Sequence, residues 1–192
     1  MAAQDHRIIL ASGSPRRREL LAGLGYEFTV DTGNTFEETY EPGTPAQQVP
    51  IILAQGKSNG FHRPLEDDEI LITSDTVVIV GDKVLGKPHS REEAFTMLRS
   101  ISGKTHEVVT AVVIRSNEKT AVFSDSTVVR FAQMDDSEID YYIDTCRPFD
   151  KAGAYGIQEW IGFAAISGIE GSYFNVMGFP THRVYQELKN FL

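Results

Sequence analysis

Ile70-Leu71-Ile72-Thr73 and Val77-Val78-Ile79-Val80 bracket Ser74-Asp75-Thr76, so the most strand-like stretch of this chain carries a carboxylate at its centre. β-Branched residues dominate both halves and predict strand, and Gly81-Asp82 offers a tight turn into Lys83-Val84-Leu85. Ser74 and Asp75 are expected to interrupt the strand. Burying an unpaired carboxylate costs several kcal/mol, so Asp75 must meet water, a cation or a metal ion. On residues alone two readings stand open. Asp75 is either a general base or Mg²⁺ ligand placed for attack on phosphorus, or a structural aspartate paired with a buried lysine.

The rest of the chain predicts an α/β protein. Arg7-Ile8-Ile9-Leu10-Ala11 reads as a short buried strand, and Ser12-Gly13-Ser14 turns it into a helix with Ser14 as cap and Pro15 in the first position. Leu20, Leu21 and Leu24 form that helix's inner face. A strand over Tyr26 to Val30 leads to an acidic loop with Glu37 and Glu38, then to a helix begun by Thr44-Pro45 and running to about Lys57. Ser90 with Glu93 predicts a capping box on a helix ending near Ile101, and Asp135 with Glu138 caps one that stops before Pro148. Between them, Thr105 to Ile114 and Thr120 to Phe131 read as a long hairpin. The last third alternates glycine-rich loops with short apolar runs. There Trp160 and Phe163 read as core, and Pro180 opens a closing helix with Val184, Leu188 and Phe191. The pattern is a mixed sheet with flanking helices, in one domain over residues 1–192 with two lobes around a cleft.

Composition removes several function classes. At 192 residues, 41% hydrophobic and 23% charged, the chain suits a folded core. Its 18 Lys plus Arg against 27 Asp plus Glu give a net charge of −9, which disfavours binding to a nucleic acid polymer. No apolar run reaches the roughly 20 residues of a membrane-spanning helix, so no membrane role is expected. A single cysteine, Cys146, and a polar start from Met1 to Arg7 point to a reducing cytosol and a cytoplasmic protein.

Arg16, Arg17 and Arg18 occupy a helix's first turn, where the backbone's partial positive charge opposes cations. An anion would offset that. The helix-start amides, with Gly13 and the flanking Ser12 and Ser14, form a coherent phosphate cradle. Side chains step by about 100° along a helix, so at most two of the arginines can face one ligand; the alternative is pairing with surface acids such as Glu19. Gly81 to Lys87 nearly matches a phosphate-loop pattern, but Pro88 stands where that motif needs Ser or Thr, and the segment reads as a hairpin. Lys87 is then either a solvated lysine at a strand end or a functional group stiffened by Pro88. The histidines show no metal-ligand spacing, and no Gly-x-Ser-x-Gly elbow is present.

Leu10-Ala11-Ser12-Gly13-Ser14-Pro15-Arg16-Arg17 resembles the opening motif of the Maf family. Ser74-Asp75-Thr76-Val77-Val78, Gly86-Lys87-Pro88, the segment Asp150 to Gln158 and the segment Gly171 to Pro180 resemble its later motifs in the same order, so the likeness spans nearly the whole chain. The resemblance implies a nucleoside triphosphate pyrophosphatase with the two-lobed fold shared with inosine triphosphate pyrophosphatases, using a divalent cation (Mg²⁺, Mn²⁺ or Co²⁺). By that resemblance Asp75 matches the proton acceptor, and Arg16, Thr76 and Gln158 match positions that set nucleotide choice. The branch acting on 7-methyl-GTP carries Trp at the position of Arg16 and an acid at that of Gln158, so this chain is similar to the dTTP/UTP branch.

The same resemblance places Ser12, Ser14, Arg17, Lys57, Lys87 and Lys151 near the substrate, and Glu38 with Asp75 near the metal. A homodimer and a role in cleansing the nucleotide pool are also implied. A nucleotide-binding regulator of cell division that does not hydrolyse its ligand is the rival from another class, and the same reaction on a modified nucleotide such as 7-methyl-GTP is the nearer alternative. Two departures stand out: Arg147 precedes Pro148 where many relatives carry Glu, and Gln55-Gly56-Lys57-Ser58 lacks the usual helical residues around its lysine.

Overall fold

The computed structural model describes residues 6–192; most of the polar start, residues 1–5, lies outside the described residues. The mixed α/β architecture is present. In chain order the elements are β1 (Arg7–Leu10), α1 (Pro15–Gly23), β2 (Phe28–Val30), α2 (Val49–Asn59), β3 (Glu69–Val80), β4 (Lys83–Leu85), α3 (Arg91–Ile101), β5 (Thr105–Arg115), β6 (Thr120–Phe131), α4 (Asp136–Cys146), α5 (Trp160–Ala164), β7 (Ile166–Glu170), α6 (Tyr173–Met177) and α7 (Thr181–Leu188). Strands hydrogen-bond in the order β2-β1-β3-β5-β6-β7, with β4 on β3. β1 runs parallel to both β2 and β3, whereas β3–β4 and β6–β7 are antiparallel.

Two compact units divide the chain. The first holds residues up to Asp75, Thr110–Asp125 and Gly178–Leu192; the second holds Thr76–Val109 and Ser126–Met177. Each has its own apolar core. In the first, Ile9, Phe61, Leu65 and Leu71 cluster together, and Ala54 packs with Ala111 and Val113. In the second, Val78, Leu98, Ile101, Val129, Ile139 and Ile143 belong to one larger cluster.

Local signals fix several boundaries. The Ser14 hydroxyl accepts the Arg17 N–H at 3.4 Å, and Asp135 with Glu138 forms the reciprocal capping box. Gly81 takes φ +60 in the turn that pairs β4 with β3, as a hairpin rather than a phosphate loop requires.

Four expectations are corrected. β3 is continuous from Glu69 to Val80, because a buried carboxylate needs a partner and not a break in the backbone. α2 begins at Val49, after a 3₁₀ turn over Ala46–Gln48; the Thr44 hydroxyl is turned back onto Glu41 O at 2.7 Å and so cannot cap it. Ser90 caps α3, but the Glu93 carboxylate accepts from His89 N–H at 2.7 Å, one residue earlier than a capping box requires. Phe163 is 88% exposed. In the short helix α5 Ile161 points inward, and a residue two positions on lies about 200° around the axis.

The Gly171–Pro180 motif has an architectural role in the second unit. Asn175 is fully buried, and its amide donates to Val108 O and Thr127 Oγ1, both at 3.0 Å. Ser172 N–H donates to the same Thr127 hydroxyl at 3.0 Å, which fastens α6 to the β5–β6 hairpin.

His106 lies buried in the second unit, bonded to the Tyr155 hydroxyl at 2.7 Å, edge-on to the Tyr155 ring and tilted against Phe131. Burial pushes its pKa down to about 4 from the usual 6.5. Above pH 6.5 both folded and unfolded forms carry it neutral. As pH falls from 6.5 toward 4 only the unfolded chain takes the proton, so stability is lost over that window, by about 2 kcal/mol at pH 5. Urea melts at pH 7 and pH 5 should show this loss in the wild type and most of it removed in His106→Gln; an equal loss in both would assign it to other groups.

Candidate active site

Asp75 solves its burial by pairing. On β3 side chains alternate, so Thr73 and Asp75 share a face; on α2 residues three apart share one, which aligns Ala54 with Lys57. Thr73 Oγ1 donates to Ala54 O at 2.8 Å, and the Lys57 ammonium donates to Asp75 Oδ1 at 2.6 Å. Two rungs thus lock helix to strand. Lys57 also lies 3.2 Å from the Glu38 carboxylate, so one ammonium bridges two acids. Burial pushes the Asp75 carboxyl above its ordinary pKa, with Glu38 adding to that, while Lys57 and then Arg17 oppose it.

The unusual glycine beside Lys57 has a steric purpose. A Cβ on Gly56 would lie 2.3 Å from the Phe36 ring, so the ring can pack on α2 only because that position is glycine. Asn34 Nδ2 donates to Lys57 O at 2.6 Å and Thr35 N–H to Gly60 O at 2.8 Å. Loop 34–38 is thereby fastened along the helix, and Glu38 is carried to the lysine.

Arg17 is half-buried and faces inward from the first turn of α1. Its Nε donates to Gly178 O at 2.9 Å, and Nη1 donates to Ser74 O at 2.8 Å and lies 3.3 Å from Ser12 Oγ. The guanidinium joins the Ser12 loop, the strand residue preceding Asp75 and the turn before α7. Ser12 Oγ also accepts Ser14 N–H at 3.3 Å, which shapes the cradle from within. Arg16 is half-buried and Arg18 exposed. Ser12, Ser14, Arg16, Arg17, Glu38, Lys57 and Asp75 therefore all belong to the first unit.

Glu38 and Asp75, within reach of one ammonium, also fit a divalent cation of the Mg²⁺ type. Such an ion takes one or two carboxylates and completes its shell with water and phosphate oxygens. Among the described residues no group of three or more His, Cys, Asp or Glu gathers to hold a metal by itself.

The remaining sequence candidates belong to the second unit. Thr76 is half-buried on β3. Lys87 is exposed beside buried Pro88, and Gly86 O accepts the Gly153 N–H at 2.9 Å. Lys151 is buried, with its ammonium 2.7 Å from Asp150 and 3.0 Å from Glu159. Glu159 in turn accepts the Tyr142 hydroxyl, whose oxygen accepts Gly156 N–H at 2.9 Å. Gln158 is half-buried, and its Oε1 is shielded from solvent with no hydrogen-bond donor among the described residues. Tyr142 and Glu159 escaped the sequence reading: on α4 Tyr142 has the spacing of any core tyrosine, and Glu159 has that of any loop acid. Arg147, at the other departure, caps α4 in the left-handed region at φ 47.

Replacing Arg17 separates a structural brace from a ligand-binding group. Arg17→Lys can serve only part of the guanidinium's acceptor set, and each buried carbonyl left without a donor costs about 1–3 kcal/mol. The thermal midpoint should fall by roughly 4–10 °C. A midpoint unchanged beside a raised KM would make Arg17 a substrate ligand and not a brace.

Known proteins resemble this chain over nearly its whole length. Residues 7–191 match the family model described as Maf-like protein. A dTTP/UTP pyrophosphatase of Porphyromonas gingivalis is 50% identical over 98% of this chain and 96% of its own length, and one from Phocaeicola vulgatus is 49% identical over 97% and 96%. Among solved structures, the Ham1 protein of Staphylococcus aureus aligns over 97% of this chain and all of its own at a TM-score of 0.53 with 14% identity, a likeness of fold. With a family match over almost its full length and relatives at half identity, this chain belongs to the Maf family.

Proposed function

We propose that this protein hydrolyses dTTP and UTP to the nucleoside monophosphate and pyrophosphate. The observation that carries the reading is the buried Asp75 carboxylate, held by Lys57 beside Glu38 and Arg17 at the end of a serine-lined helix start. Relatives at half identity that bear the name dTTP/UTP pyrophosphatase support it.

In this mechanism Asp75 orients a water molecule and takes its proton as the water oxygen bonds to the α-phosphorus. The bond from that phosphorus to the oxygen bridging to the β-phosphorus breaks, and pyrophosphate leaves. Burial raises the Asp75 carboxyl's pKa and makes its carboxylate a better base, while the Lys57 ammonium opposes that rise by favouring the charged form. Arg16, Lys57 and the amides after Ser12 neutralise phosphate charge, and most of the rate comes from that neutralisation and from positioning. Ser12 and Ser14 keep the amides aimed, and Lys87 and Lys151 are assigned to the triphosphate by the family resemblance. A divalent cation (Mg²⁺, Mn²⁺ or Co²⁺) at Glu38 and Asp75 would supply Lewis-acid polarisation of the phosphate. Gln158 reads the base, with Arg16 and Thr76 sharing in nucleotide choice.

Among the described residues no helix is long and apolar enough to cross a membrane. The half-buried thiol of Cys146 suits the reducing cytosol proposed as its location.

The test is direct. Asp75→Asn should keep the fold and lower pyrophosphate release from dTTP and UTP by about 10²–10⁴-fold, the usual worth of a general base. Pyrophosphate and orthophosphate are measured separately with Mg²⁺ or Mn²⁺. Full activity in the variant would remove Asp75 from the mechanism, and tight nucleotide binding without turnover in the wild type would favour the regulator.

A further inference from the structure

We infer that Tyr142 is a positioning residue for pyrimidine selection: its hydroxyl, through Glu159 and the Gly156 amide, holds the Gln158 carboxamide in one orientation. The inference rests on the nucleotide reading above and extends it to a residue outside the family motifs.

Tyr142 is fully buried on α4, and its one polar side-chain atom reaches the loop that carries Gln158 at two points. The oxygen accepts from Gly156 N–H at 2.9 Å and its proton goes to the Glu159 carboxylate. The other Glu159 oxygen lies 3.0 Å from the Lys151 ammonium, which is also tied to Asp150 at 2.7 Å. Gln158 sits between the two tethered residues.

Crowding then orients the amide. A Cβ on Gly156 would lie 3.0 Å from Gln158 Nε2, 3.0 Å from Lys151 Cε and 3.1 Å from Glu159 Cδ, so these side chains share one small space. Nε2 is thus the end of the amide nearer Gly156, on the side of both Lys151 Cε and Glu159 Cδ, and Oε1 is the end left without a donor. A flipped amide would set its carbonyl oxygen on the side of the Glu159 carboxyl carbon, where the Lys151 ammonium is already shared between Asp150 and Glu159.

Orientation decides which base is accepted. Uracil and thymine present an N3–H donor beside a carbonyl, whereas cytosine presents a bare N3 beside an amino group. A glutamine free to flip satisfies either pattern, while one held with its acceptor fixed suits only the first. Uracil's N3–H supplies the donor that buried Oε1 lacks, whereas cytosine sets a bare N3 against it, and that difference is the source of discrimination against cytosine.

The test compares binding of α,β-imido-UTP and α,β-imido-CTP by calorimetry with Mg²⁺, which needs no turnover, in wild type, Tyr142→Phe, Glu159→Gln and Gln158→Ala. Wild type should prefer the uracil analogue, and Tyr142→Phe and Glu159→Gln should each lower the preference about ten-fold or more, with kcat on UTP changed far less. Equal weakening toward both analogues would reduce Tyr142 to a structural role and overturn the inference. So would full preference in both variants while Gln158→Ala abolishes it, which leaves the base reading intact. Preference surviving in Gln158→Ala would overturn the base reading as well. If Tyr142→Phe fails to fold, Glu159→Gln carries the test, since Glu159 lies nearer the surface at 22% side-chain exposure.

Discussion

The ion pair between Asp75 and Lys57 sets the terms for the first unit. A carboxylate at the centre of a strand whose neighbours are buried is tolerable only with a cation at contact distance, and 2.6 Å is contact. Delivering that cation fixes the register of α2 on β3, which the Thr73 to Ala54 hydrogen bond reinforces one rung away. It also requires space at Gly56, because the ring that packs there belongs to the loop bearing Glu38. The acid, its counterion and the second acid form a connected set in which loosening one member exposes the others.

Arg17 extends this set to the backbone. Helix starts disfavour cations, and burial works against this guanidinium's charge while Asp75 supports it. Its donors go to two backbone carbonyls from distant parts of the chain and approach a serine hydroxyl. A lysine could not substitute for that planar fork. Consecutive arginines thus differ in setting: the geometry makes Arg17 a brace, Arg18 is exposed, and half-buried Arg16 is the one proposed to share in nucleotide choice.

What the sequence disclosed follows from range. Ser14, Pro15, Asp135 and Glu138 act within one helical turn, and their caps were legible because the partner atoms lie a few residues away. The continuity of β3 was not, because Ser74-Asp75-Thr76 reads as a break unless Lys57, 18 residues upstream, is known to face it. Phe163 was misplaced because composition marks an aromatic as core, whereas its exposure depends on which side of a one-turn helix it occupies. Asp75 stood out as a carboxylate in an apolar strand, and Lys57 and Gln158 became candidates through the family resemblance. The residues that hold them did not stand out: Tyr142 reaches Gly156 and Glu159 across 14 and 17 positions.

The two kinds of work ask for different degrees of fixation. Coulomb attraction between a lysine and a phosphate falls only as the inverse of distance, so a shift of about 1 Å at about 4 Å changes it by roughly a fifth. An exposed Lys87 on a stiffened segment can serve that purpose. A hydrogen bond that reads a base is lost within about half an ångström or a modest rotation, and its donor and acceptor ends must not interchange. Buried hydrogen bonds fix the loop that carries Gln158, proposed to read the base, and few fix Lys87, proposed to meet phosphate. Charge neutralisation tolerates motion, and selection between two pyrimidines does not.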